Sequence, residues 1–138
     1  MKVTVSMITM NEEGAVAKVI RDIRSVVPDA EILLVDSSKD RTAEIAEELG
    51  CRVIKQFPPQ GYGPAMDRAV REASGDVVIT LDCDDTYPVE VIPRLVHLVE
   101  EGYDLVNTTR TWRRPKAMPF ANFLANRVLH ERVILLSA

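Results

Sequence analysis

Apolar runs alternate with amphipathic stretches from the start of the chain. Val3 to Thr9 reads as a strand. Ala15, Val16, Val19, Ile20, Ile23, Val26 and Val27 then recur at helical spacing, and Pro28-Asp29 ends that helix. Asn11 is expected to cap it, with Glu12 and Glu13 in its first turn, where acids suit the helix dipole. Glu31 to Val35 is a continuous apolar strand followed by the polar turn Asp36-Ser37-Ser38-Lys39-Asp40. A short helix with Ala43, Ala46 and Leu49 inward stops at Gly50. Cys51 to Lys55 reads as a third strand. Phe57 to Pro64 carries too many breakers for regular structure, and Ala65 to Ala73 reads as helix. Ser74-Gly75-Asp76 turns the chain into the apolar run Val77-Val78-Ile79-Thr80-Leu81. Pro88 opens a helix whose inner face is Val91, Ile92, Leu95, Val96 and Val99. Asp104 to Thr108 reads as a fifth strand.

Continuous apolar strands separated by helices predict α/β architecture. The expected form is three-layer α/β/α with a mostly parallel, Rossmann-like sheet. In such sheets, ligands bind at the carboxyl ends of the strands. That rule points to Asn11-Glu12, Asp36, the Gly61-Gly63 loop and Asp82-Cys83-Asp84-Asp85. The last of these is the most informative. Three acids at the mouth of a buried strand repel one another unless water, donors or a cation offset them. Carboxylates on a rigid strand end can present hard oxygen ligands to Mg²⁺ or Mn²⁺. Taken alone, Asp82-Cys83-Asp84 also fits a solvated acidic turn. Asn11 also fits a helix cap, and Asp36 an ordinary turn residue.

Bulk properties narrow the class. The 138 residues suit one domain, with residues 1–110 as a core and 111–138 as a basic loop and apolar terminal helix. A net charge of −4 argues against a nucleic-acid partner, because nucleic-acid-binding domains are usually basic. Cys51 and Cys83 show no metal-ligand spacing and fit a reduced intracellular protein. Cys83 reads as a small buried spacer. No apolar run approaches a membrane span, and no signal peptide is seen. The expectation is therefore a cytoplasmic chain, or one at the cytoplasmic face of a membrane. Leu105 to His130 holds no acid, yet Arg110, Trp112, Arg113, Arg114 and Lys116 fall there, suited to a lipid phosphate or an anionic membrane surface. A solvated basic loop is the other reading of that segment. The apolar run up to Leu135-Leu136-Ser137-Ala138 has no polar terminator. It is expected to belong to a fragment, or to a helix that packs on a partner such as a second copy.

Together these strand ends resemble the family-2 inverting glycosyltransferases of the GT-A fold. In pattern they are nearest to the polyprenyl- and dolichyl-phosphate sugar synthases. Thr9-Met10-Asn11-Glu12-Glu13, Val35-Asp36, Asp40-Arg41-Thr42, Gly61-Tyr62-Gly63-Pro64-Ala65 and Gly75-Asp76 with Leu81-Asp82-Cys83-Asp84 fall in the family's order. Thr86 stands where the lipid-phosphate branch often has Gln. The resemblance implies a nucleotide-sugar donor held by Thr9, Asn11, Glu12, Asp36, Gly63 and Asp82. It implies Asp84 as chief metal ligand with Asp82 assisting, and Mg²⁺ or Mn²⁺ as cofactor. Asp85 is a candidate base if the acceptor is a hydroxyl, whereas a lipid phosphate needs little deprotonation. A catalytically incomplete sugar-nucleotide-binding or partner-binding module is the alternative. A sugar-nucleotide pyrophosphorylase would carry a Gly-rich, Arg-containing loop after the first strand, which Thr9 to Gly14 is not.

Overall fold

The structure, a computed structural model, describes residues 1–108. Strands β1 (Val3–Thr9), β2 (Glu31–Asp36), β3 (Arg52–Lys55) and β4 (Val77–Asp82) form one parallel sheet in the order β3-β2-β1-β4. Helices α1 (Val16–Val26), α2 (Thr42–Glu48), α3 (Tyr62–Arg71) and α4 (Ile92–Glu100) connect or follow them, the last preceded by a 3₁₀ turn at Val89–Val91. Met1–Asp104 forms one compact unit.

Side-chain alternation along the strands explains the layers. Val5 and Met7 of β1, Ile32 and Leu34 of β2, and Val77, Ile79 and Leu81 of β4 share one core with Val16, Val19, Ile20 and Ile23 of α1, Ala46 of α2 and Ile92 of α4. On the opposite face, Val35 and Ile8 pack with Ala65 and Ala69 of α3. The small alanines let α3 approach closely, and the Ser6 hydroxyl donates to the Ala69 carbonyl at 3.0 Å. This is the α/β architecture that the pattern predicts.

Three expectations change. Asn11 does not cap α1. The helix starts at Val16, after a turn in which the Glu12 carbonyl accepts from the N–H groups of Ala15 and Val16. Glu12 and Glu13 therefore lie outside its first turn. Asn11 instead takes a left-handed φ of 58° and bonds across to the loop after β2. Helix α3 starts at Tyr62, inside the stretch expected to be irregular. Pro64 falls in its first turn, where a missing N–H costs nothing. Residues 104–108 form no strand, and Leu105 is 86% exposed. Two adjacent apolar residues, Leu105 and Val106, are too short a run to bury a strand there. The basic segment Arg110 to Lys116 and the terminal helix lie outside the described residues.

The amino ends of the strands are closed by a polar knot. Glu31 accepts from Thr4 Oγ1 at 2.7 Å, from Ser74 N at 2.9 Å and from Ser74 Oγ at 2.7 Å, and Arg52 lies 3.6 Å away. Burial opposes its ionisation, but the bonds from Thr4 and Ser74 and the Arg52 charge lower its pKa to about 2. Gly75 donates to Thr4 Oγ1 at 2.9 Å, and a Cβ on it would stand 2.7 Å from the Thr4 backbone nitrogen.

Two outcomes follow. Gly75→Ala forces β1 and β4 apart at their start and should cost about 1–3 kcal/mol in urea unfolding. Glu31 has a folded pKa below its unfolded value, so its stabilisation is complete above about pH 4.5 and is lost as the pH falls through about 2. Acid titration of unfolding should show a loss on the order of 2 kcal/mol from this group, and Glu31→Gln should remove that part of the pH dependence.

Candidate functional site

The carboxyl ends of β1, β2 and β4 lie level with one another. Thr9 is in register with Asp36, and Ile8 with Asp82. The loops leaving them are stitched by main-chain donors. The N–H of Asn11 donates to Ser38 Oγ at 2.8 Å, that of Glu12 to Thr42 Oγ1 at 2.8 Å, and that of Glu13 to Asp40 Oδ2 at 3.2 Å. Asn11 Oδ1 accepts from the Lys39 N–H at 2.9 Å. Asp40 also accepts from the N–H and hydroxyl of Thr42. The cross-loop bonds explain the left-handed Asn11, because a short polar side chain tolerates that conformation when local bonds secure it.

Asp36 sits at the centre of this arrangement with 0% exposure. Its Oδ1 accepts from Thr9 Oγ1 at 2.7 Å and from Ser38 Oγ at 2.5 Å. Its Oδ2 accepts from Lys55 Nζ at 2.6 Å and from Ser38 N at 3.2 Å. Burial raises the cost of its charge, yet bonds from Lys55, Ser38 and Thr9 more than offset this and hold the carboxyl below its ordinary range. Asp36 is thus a buried, saturated anchor rather than an exposed turn residue. Lys55 and Ser38 are partners of Asp36 that sequence reasoning passed over. Ser38 answers Asp36 through a local bond two residues on, whereas Lys55, 19 residues away, is brought to it only by the pairing of β2 with β3.

At the β4 end, Asp82 is half-buried and Asp84 is exposed. Asp84 Oδ1 accepts from the Thr86 N–H at 3.1 Å and its hydroxyl at 2.5 Å, which fixes the turn. Asp85 has a φ of 60° and pairs with Lys18 Nζ of α1 at 2.8 Å, and Lys18 also reaches Asp22 at 2.6 Å. Cys83 between the acids is 2% exposed. Burial, then the charges of Glu12 and Asp84, push its thiol up to about 12. Both cysteines are free and buried. Glu12 shares the field of the acidic turn: partial burial, then Asp84, Asp40 and Asp82, raise its carboxyl above the ordinary range.

The fold therefore brings Thr9, Asn11, Glu12, Asp36, Asp82 and Asp84 to one edge. Gly63 belongs to the first turn of α3, with open space where a Cβ would be. Among the described residues, no three His, Cys, Asp or Glu side chains stand ready to enclose a metal ion. Asp82 and Asp84 alone could hold Mg²⁺ or Mn²⁺ in the manner of sites completed by water and substrate phosphates. Glu12 is raised first by burial and then by Asp84, Asp40 and Asp82, and a cation between these carboxylates would relieve the second part.

Residues 4–128 match the family model for glycosyl transferase family 2. The chain belongs to glycosyltransferase family 2. It is 46% identical over 123 residues to a dolichyl-phosphate hexose transferase of Haloferax volcanii, covering 88% of this chain and 54% of that one. It is 36% identical over 117 residues to a dolichol-phosphate mannosyltransferase of Pyrococcus furiosus, covering 80% of this chain and 33% of that one. The chain thus spans about half or less of the length of these curated relatives. A glucosyl-3-phosphoglycerate synthase from Mycobacterium tuberculosis, solved with Mn²⁺, UDP and glucosyl-3-phosphoglycerate, superposes with a TM-score of 0.61 at 29% identity. That match covers 71% of this glycosyltransferase chain and 39% of the synthase. The fold is that of the GT-A glycosyltransferases.

Asp36→Ala in this glycosyltransferase chain would leave Lys55, Ser38 and Thr9 without their shared acceptor. The expected cost is about 2–4 kcal/mol in urea unfolding, with Asp36→Asn costing less because it keeps an acceptor oxygen.

Proposed function

We infer that the chain carries the donor-binding part of a hexosyltransferase that moves a sugar from a nucleoside-diphosphate sugar to a polyprenyl phosphate, with inversion. The observation that carries this reading is the meeting of Asp82 and Asp84 with the Glu12 and Asp36 loops at one sheet edge. Two carboxylates at β4 suit a cation on a diphosphate, and the β1 and β2 ends suit a nucleoside. The names of the relatives supply the lipid-phosphate acceptor. Mn²⁺ and UDP in the mycobacterial synthase support a divalent metal and a nucleotide donor.

In this reading, Asp84 and Asp82 hold Mg²⁺ or Mn²⁺, and Asp82 also faces the ribose. The Asn11-Glu12 turn, Thr9 and Gly63 border the donor. An acceptor phosphate oxygen bonds to the anomeric carbon as the bond from that carbon to the diphosphate oxygen breaks. The carbon is oxocarbenium-like in between, and attack opposite the leaving group inverts it. The bound cation supplies charge neutralisation for the departing diphosphate. A phosphate acceptor arrives already ionised, so no residue of this chain has to remove a proton. Asp85, tied to Lys18, is not needed as a base. The basic residues Arg110, Arg113, Arg114 and Lys116, with Trp112, have the chemistry to serve a lipid phosphate or an anionic membrane surface. Among the described residues no helix is long and apolar enough to cross a membrane.

Binding is the decisive readout, because the chain spans about half of its relatives. Calorimetric titration with UDP and GDP, each with and without Mn²⁺, should show metal-dependent binding of at least one. Asp84→Ala should remove the metal dependence and leave the folded far-UV spectrum unchanged. Metal-independent binding, or an unaltered Asp84→Ala titration, would overturn the reading.

A further inference from the structure

Asp36, at the end of β2, has no exposed surface, so it offers nothing for a ligand to touch. What solvent meets there is Lys55. Its side chain is 51% exposed while its ammonium is fixed 2.6 Å from Asp36 Oδ2 and 3.3 Å from the Ser38 carbonyl. An ammonium has three donors. Two are committed to these acceptors, and the third is left for the solvent side. A lysine tethered at two points has already lost much of its rotamer freedom, so a further bond from it costs little entropy.

The strand order sets what reaches this ammonium. Lys55 ends β3 and Asp82 ends β4, at opposite edges of the sheet. Strands lie about 4.8 Å apart, so three spacings separate these ends by roughly 14 Å. An extended nucleoside diphosphate covers a comparable length. With its phosphates at Asp82 and Asp84, its base arrives over the β2 and β3 ends. Phe57, two residues beyond Lys55, exposes more than half of its surface, with Lys39 Nζ 5.9 Å from its ring centroid. An exposed aromatic ring two residues along the chain from a fixed cationic donor suits a flat heterocycle bearing a carbonyl oxygen.

We propose that Lys55 is a specificity-determining residue of the donor site. Its ammonium, held by Asp36 and Ser38, donates to a carbonyl oxygen on the nucleobase. It thereby selects uracil or guanine over adenine, whose exocyclic group is itself a donor and meets the ammonium unfavourably. The proposal rests on the donor-site reading above.

The test measures affinities of UDP, GDP and ADP with Mn²⁺ by calorimetry, in the unaltered chain, in Lys55→Met and in Asp36→Asn/Lys55→Met. The double variant keeps the buried pair neutral where Lys55→Met alone fails to fold. The unaltered chain should prefer UDP or GDP to ADP at least tenfold. Lys55→Met should weaken the preferred nucleotide about tenfold or more and leave ADP unchanged or tighter, so that the preference collapses. The double variant should show the same collapse. Preference retained without Lys55 would overturn the proposal, as would equal loss of all three nucleotides, which marks a diphosphate contact. Wild-type affinity and preference in the double variant would reduce Lys55 to a counter-charge for Asp36. Binding of none of the nucleotides by the folded, unaltered chain would overturn the donor-site reading together with this one.

Discussion

A carboxylate without solvent contact has to be satisfied by protein donors, and Asp36 imposes that demand at the middle of the sheet's carboxyl edge. Thr9 of β1, Lys55 of β3 and Ser38 of the intervening loop answer it. One side chain therefore couples three strand ends. Ser38 passes the coupling on by accepting from the Asn11 N–H, and Asn11 in turn holds Lys39. Without the Asp36 charge, Thr9, Ser38 and Lys55 would lose their common acceptor, and the cross-loop bonds of Asn11, Glu12 and Glu13 would remain as the ties between the loops.

The order imposed at the edge is what makes a ligand site plausible on physical grounds. Loops that bind ligands gain affinity when their shape is set beforehand, since less freedom is lost on binding. Here the shape is set by main-chain N–H groups bound to side chains of the neighbouring loop. The acidic turn is secured separately, by Thr86 on Asp84 and by Lys18 on Asp85. Asn11 and Asp85 both adopt positive φ within these ties. Strain of that kind persists where the surroundings over-determine it. The carboxylates of Asp82, Asp84 and Glu12 gathered beside these loops form the negative charge that a divalent cation would complement.

Much of this was legible in the residues themselves. Four of the five expected strands are present, because Val3 to Thr9, Glu31 to Val35, Cys51 to Lys55 and Val77 to Leu81 are apolar or β-branched runs bounded by polar turns. The family assignment rested on short motifs in order, and residues 4–128 match that family. Local capping logic failed at Asn11, where bonds to a loop 27 residues away outcompeted the helix end. The breaker count failed at Tyr62, since proline is harmless in a first helical turn. The run at 104–108 failed as a strand because two apolar residues give little to bury.

The sequence by itself determined which groups could do chemistry and where the chain would place them: acids and amides just after apolar strands, at the carboxyl edge of a parallel sheet. Periodicity and turn residues are local properties, so they are readable along a line. Only the tertiary structure decided that Asp36 is buried, that Lys55 is the group standing in front of it, and that Lys18 engages Asp85. Those facts depend on strand order and on helix packing across the sheet. They bring together residues 19 and 67 positions apart, a separation that no local pattern records.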